Sequence, residues 1–401
     1  MSDKLLFADL KVIDMSSWIA APVAATMLAD YGAEVIKIEP PEAGDGYRNF
    51  ALMASSPTSD VNYTWEMDNR NKRSLGLNLK TEEGRKVLRH LVAECDVYIT
   101  NTPHPMRREW GLTYEDLAEI NPRLIYASLT AYGEQGPERD REGFDLVAYW
   151  ARSGLMDLVR APGADPAPAL PGMGDHPTAV SLYAAILTAL FKRQQTGEGS
   201  HVHTSLLANG IWSASCIAQG VFAEADFTLY HHLSSHLFTR LLYEASDGRW
   251  LQFSMVRTDE EVDMLFTVIG RPDLLLDPRF VSAELRVEHG NLLVEEMKAA
   301  LITQTSDHWM QALTDVGVPV ALVGRVDELK SDPQVVANTM TMTPTPDVGM
   351  PSVIKHPLNI DGLATRPAGR APDLGEHSEA ILAELGYTST DIARAKEQGI
   401  I

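Results

Sequence analysis

The chain has 401 residues, of which 45% are hydrophobic and 22% charged, a balance that excludes wholesale disorder. A formal net charge of -21 argues against nucleic acid and anionic membrane surfaces as main partners, and obliges any polyanionic ligand to find a locally basic site. Two cysteines, Cys95 and Cys216, make neither a disulfide framework nor a cysteine metal site, so a soluble protein of the reducing cytoplasm is expected.

The N-terminus passes straight into a strand-like run, with no signal peptide visible. Leu10 to Asp14 reads as a strand, Pro22 opens an apolar helix running to about Asp30, and Ala33 to Ile38 is the next strand. Ser74 to Leu79 follows as a strand, then a helix from Thr81, its N-cap, to about Cys95. Asp96 to Thr100 and Leu124 to Leu129 are two further strands. Alternating strands and helices predict an α/β fold with a Rossmann-like, mostly parallel sheet. The Pro/Ala/Gly-rich stretch from Ala161 to Pro171 is a loop, delivering Gly172-Met-Gly-Asp175-His-Pro177 to a long helix that ends near Gln195. The apolar stretch Thr178 to Phe191 is too short to span a bilayer. Residues 202–224 read as a linker helix. Leu242 to Ala245 and Arg249 to Val256 form a hairpin around Ser246-Asp-Gly248, opening a small α+β domain at 225–330. Residues 1–201 make a large Rossmann-like domain, and 331–401 a C-terminal segment.

The first strand-to-helix turn, Ser16-Ser-Trp-Ile-Ala-Ala-Pro22, has no glycine, which makes a nicotinamide or flavin dinucleotide site there improbable. Arg70-Asn-Lys72-Arg73, Lys80 and the pair Arg107-Arg108 are candidate phosphate contacts near strand-to-helix junctions, or simply solvated faces. Asp175, between glycines and a helix start, is either a helix cap or a nucleophile whose anion the helix N-terminus stabilises. His176, His201, His203, His231 and His232 have no metal-binding spacing, so no metal is expected, and no nucleophile elbow of a serine hydrolase occurs.

Taken in order, Leu10 to Asp14, Ala21-Pro22, Leu28 to Glu39, Asn71-Lys-Arg-Ser74, Asn121 to Tyr126, Gly172 to Asp175, Thr196-Gly-Glu-Gly199 and Ala371 to His377 resemble blocks of the class III CoA-transferases, to which α-methylacyl-CoA racemase is related. The resemblance covers nearly the whole chain. It implies a large domain built from both termini, a smaller α+β domain and an interlocked, ring-like homodimer. Acyl-CoA and a carboxylic acid would be the substrates, with no cofactor beyond coenzyme A. The family's nucleophile would be Asp175, and its CoA contacts Trp18, Ile19, Leu77, Lys80 and Asn101, with Tyr132 at a common active-site position. The basic run adds Lys72 and Arg73. Pro40 and Glu109 stand where relatives carry arginines, and Arg107 or Arg108 would replace the second. The glycine-rich closing loop of some relatives has no counterpart between Phe222 and Arg249. Oxyanion donors are expected among the backbone N–H groups of Gly172 to Gly174 or on a facing loop.

Two alternatives remain. A racemase or epimerase needs a histidine where Gly143-Phe144-Asp145 stands, and phenylalanine cannot take a proton. A catalytically dead CoA-binding partner subunit would use Asp175 only as a cap.

Overall fold

The computed structural model describes residues 4–160, 164–227, 237–254, 256 and 258–401. Two units emerge: Met1–Val159, Pro166–Ala218 and Asn338–Ile401 form the larger, and Arg160–Asp165 with Gln219–Ala337 the smaller.

Six parallel strands carry the large unit: β1 (Lys11–Met15), β2 (Glu34–Glu39), β3 (Arg73–Gly76), β4 (Val97–Thr100), β5 (Ile125–Thr130) and β6 (Ser200–Ser205). Their order is β3-β2-β1-β4-β5-β6, the doubly wound arrangement that reverses direction between β1 and β4. Val12 and Ile13 illustrate why the run is apolar: both faces of a parallel sheet are covered, and each side chain enters a different core. Each such full burial contributes roughly 1.5–3 kcal/mol. Helix α1 (Ala20–Asp30) is buried along its whole length, and its alanines let it pack closely on the helix Asp175–Thr196. Helices α2 (Tyr63–Asn69), α3 (Glu82–Glu94), α4 (His104–Trp110) and α5 (Tyr114–Ile120) complete the crossovers. The Thr81 hydroxyl caps α3 by accepting from the Gly84 N–H at 3.0 Å.

The expected helix over 202–224 is corrected. Ser200 to Ser205 is instead the sixth strand, in register with β5 from Ile125↔Ser200 to Thr130↔Ser205, and two short helices follow at Leu206–Ser213 and Ser215–Phe222. The C-terminal segment rejoins the large unit. The Arg366 N–H donates to the Asp30 carbonyl at 2.7 Å, His377 N–H to Ser74 at 3.0 Å, and Asn78 N–H to Ile400 at 2.8 Å.

The small unit has its own core around Tyr243, Leu251, Phe266 and Leu293, beneath an antiparallel sheet of Leu242–Glu244, Trp250–Phe253 and Val320–Leu322. A Thr258–Glu261 capping box starts its helix Asp259–Val268. His231 and His232, and residues 228–236 of the stretch expected to lack a glycine-rich loop, lie outside the described residues.

Candidate active site

In a doubly wound sheet the ligand crevice lies beyond the carboxyl ends of the strands, where their order reverses. Here the turns after β1 and β4 are tied together across that point. The Asn101 side chain accepts from the Ser17 N–H at 2.9 Å and donates to the Ser17 carbonyl at 2.7 Å. Next in the turn, Trp18 has φ 66°, a left-handed conformation that costs a non-glycine residue free energy. A buried network offsets that cost: Trp18 N–H donates to Asp45 Oδ1 at 3.0 Å, while the Lys37 ammonium bonds the Ser16 carbonyl at 2.9 Å and Asp45 at 2.8 Å. The indole packs edge-on against Phe144, ring centres 5.5 Å apart.

A cavity of about 510 Å³ opens there. It is lined from the ends of four strands, by Trp18 and Ile19 after β1, Asn101 after β4, Thr130 and Ala131 at the end of β5, and Leu206 after β6, with Phe144 and Asp175 also on its wall. Asp175 is the first residue of the helix Asp175–Thr196, whose N-cap is Gly174, so of its two sequence readings the helix cap does not hold. Among the described residues no donor reaches its carboxylate. Burial and the neighbouring Asp145 push its pKa up to about 7, with the charge of His176 pulling the other way.

The turn before it is tightly determined. Gly172 has φ 86°, and a Cβ on Gly174 would overlap Asp145 Oδ1 and the Tyr149 ring. Asp145, 4% exposed, accepts the Gly174 N–H at 3.1 Å. It precedes a single π-helical turn, Leu146–Ala151, a local widening common at functional sites. The N–H groups of Met173 and Gly174 donate to Leu170 and Asp145, so they are not free to form the expected oxyanion site. On the other side of Asp175, His176 bonds Asp68, whose second oxygen accepts the Tyr47 hydroxyl at 2.6 Å.

Of the residues singled out in the sequence, Trp18, Ile19, Asn101 and Asp175 share this cavity. The other candidate CoA contacts do not line it. Lys72 is fully buried, with Asp14, the Pro22 carbonyl and the Asn69 side chain each 2.8 Å from its ammonium, so it cannot present charge to a phosphate. Burial pushes its pKa down to about 8, against the pull of Asp14. Arg73 pairs with Glu34 and Glu384. Leu77 is core at 2% exposure, Lys80 sits exposed on the turn before α3, and Tyr132 lies under the Arg141 guanidinium, 5.3 Å from its ring centre. Arg107 is committed to Glu134 at 3.0 Å, whereas Arg108 is exposed and pairs with Asp140 and His104. Sequence reading passed over the residues nearest Arg108. His104, Arg139 and Arg141 line the cavity, and the charge-dense string Glu138-Arg-Asp-Arg-Glu142 signals only the two arginines. Among the described residues no group of His, Cys, Asp and Glu is arranged to hold a metal ion.

A family model described as CoA-transferase family III matches residues 7–378. The chain is 33% identical to the (R)-2-hydroxy-4-methylpentanoate CoA-transferase of Clostridioides difficile, over 99% of this chain and 100% of that one. It is 32% identical to the cinnamoyl-CoA:phenyllactate CoA-transferase of Clostridium sporogenes, over 96% and 95%. The crystal structure of a CAIB/BAIF family protein from Brucella suis superposes with a TM-score of 0.82 at 29% identity, covering 96% of this chain and all of that one.

Proposed function

The chain belongs to CoA-transferase family III, and from that premise we propose that it moves coenzyme A from an acyl-CoA to a carboxylic acid with Asp175 as covalent relay. One observation carries the assignment of the nucleophile: Asp175 is a half-buried carboxylate with no hydrogen-bond donor among the described residues, at a helix start, on the wall of the cavity at the switch point.

In this mechanism the Asp175 carboxylate attacks the thioester carbonyl, and the tetrahedral intermediate expels CoA thiolate to leave an aspartyl-acyl anhydride. The thiolate then attacks the aspartyl carbonyl, which forms an aspartyl-CoA thioester and releases the first acid as its carboxylate. The second acid reverses these two steps and leaves as its CoA thioester. Electrons balance without a redox partner, so the reading requires no cofactor beyond coenzyme A. Water must be kept out while the anhydride exists, which suits a site with walls of Trp18, Ile19, Phe144 and Leu206. Those apolar walls, together with the branched and aromatic acids named for the two relatives, support an acid with a branched or aromatic tail. Arg139 and His104 on the cavity lining, with Arg108 beside His104, suit the phosphates of CoA. A homodimer in the cytoplasm completes the reading. The apolar side chains of Phe191 at 63% exposure and Trp212 at 77% support the dimer, since such surface favours a partner.

Asp175→Asn tests the relay. CoA transfer from a panel of acyl-CoA donors should fall by several orders of magnitude, because an amide cannot form the anhydride. Wild-type enzyme incubated with acyl-CoA alone should be reduced by borohydride to homoserine at position 175. Near wild-type transfer by the variant, or label on another carboxylate, would refute the assignment.

A further inference from the structure

The ring of His176 meets an acceptor at each nitrogen. Nδ1 lies 3.0 Å from the Gly172 carbonyl oxygen and Nε2 lies 3.2 Å from Asp68 Oδ1. A carbonyl oxygen has no proton to give, so Nδ1 must carry one. Asp68 is 2% exposed and already receives the Tyr47 hydroxyl, and imidazole is a stronger base than carboxylate, so the shared proton belongs on Nε2. Both nitrogens are then protonated and the ring is a cation. It stands one residue from Asp175, at the start of the same helix.

We propose that His176 is a positioning residue for CoA transfer, a fixed imidazolium that holds the neighbouring Asp175 ionised against the negative charges of Asp145 and Asp68. The inference rests on Asp175 being the nucleophile. Around Asp175, Asp145 reaches in from the segment before the π-helical turn, Asp68 from α2 and His176 from its own helix; Tyr47, behind Asp68, is held neutral by burial and by that carboxylate. Without His176 the three carboxylates would face one another with the helix N-terminus and, next to Asp68, the Lys72 ammonium as counterweights. Burial would lower the His176 pKa, but the bond and charge of Asp68 carry it up to about 9, so the cation persists through neutral pH. Sequence reading gave His176 no role, because nothing in Gly-Asp-His-Pro predicts that a buried aspartate from position 68 comes to its ring.

Two measurements decide the matter. In nitrogen-15 spectra of histidine-labelled free enzyme, both ring nitrogens of His176, assigned through its own backbone, should be protonated at pH 7.5. In kcat/KM profiles, His176→Gln should move the acidic limb up by about one pH unit, so transfer falls about tenfold below pH 6 and recovers by pH 9. His176→Asn, which removes the same cation, should move the limb the same way should the first variant not fold. A neutral ring at pH 7.5, or an unmoved limb in either folded variant, would overturn the proposal. Absence of any transfer by the wild type would instead refute the nucleophile reading.

Discussion

At the scale of single residues, the site sets reactivity against stability. Asp175 ionises in the folded protein only near pH 7, far above its value in an unfolded chain. A carboxyl group whose folded pKa is raised binds more protons folded than unfolded, so its contribution to stability declines as pH climbs from about 4 to 7. Asp175→Asn lacks that ionisation. The variant should therefore melt at a higher temperature than wild type at pH 8, and the gap should close below about pH 4, measured by calorimetry in matched buffers. A variant that melts lower at pH 8 would show that the Asp175 anion is stabilised by its surroundings. Asp175 stood out in the sequence because two glycines and a helix start flank it. Lys72 could not be read as well. Composition shows a basic run, but only the fold shows that Asp14 on β1, Asn69 at the end of α2 and the Pro22 carbonyl converge on that ammonium. Arg73, in the same run, is drawn off by Glu384, more than three hundred positions away in sequence.

Among the elements, the strands whose residues alternate between two cores were legible, and their boundaries agree with the sequence expectation to within about three residues. Strand β6 was not. Ser-His-Val-His-Thr-Ser has one aliphatic residue, and as an edge strand it is largely half-buried, so the hydrophobic signal on which a buried strand is recognised is missing. The π-helical turn is equally invisible, since Leu-Val-Ala-Tyr-Trp-Ala carries no mark of an extra residue per turn. Its consequence falls on Gly174, pressed between Asp145 and Tyr149. Gly174→Ala should leave the small unit folded but displace the start of the Asp175–Thr196 helix. The expected result is a fall of about a hundredfold or more in kcat, the order that an angstrom-scale misplacement produces, with circular dichroism little changed. Full activity in Gly174→Ala would mean that the turn is not held as tightly as the contacts indicate.

For the whole molecule, the resemblance rather than residue pattern indicated that both termini build one unit; no hydrophobic periodicity says that Ile400 will meet Asn78. Exposed Phe191 and Trp212 belong to the large unit, on a chain whose net charge of -21 would otherwise keep copies apart. Sedimentation at nanomolar concentration should still find a dimer, and a species of 44.1 kDa would discard it. The return of the tail also governs how the protein is born. All six strands of the large unit's sheet have been synthesised by Ser205, yet the backbone partner of Asn78 is Ile400, almost two hundred positions later. While residues 219–337 emerge and gather their own core, the nascent sheet waits with the rim around β3 uncovered, and that edge is sealed only once Ile400 has emerged.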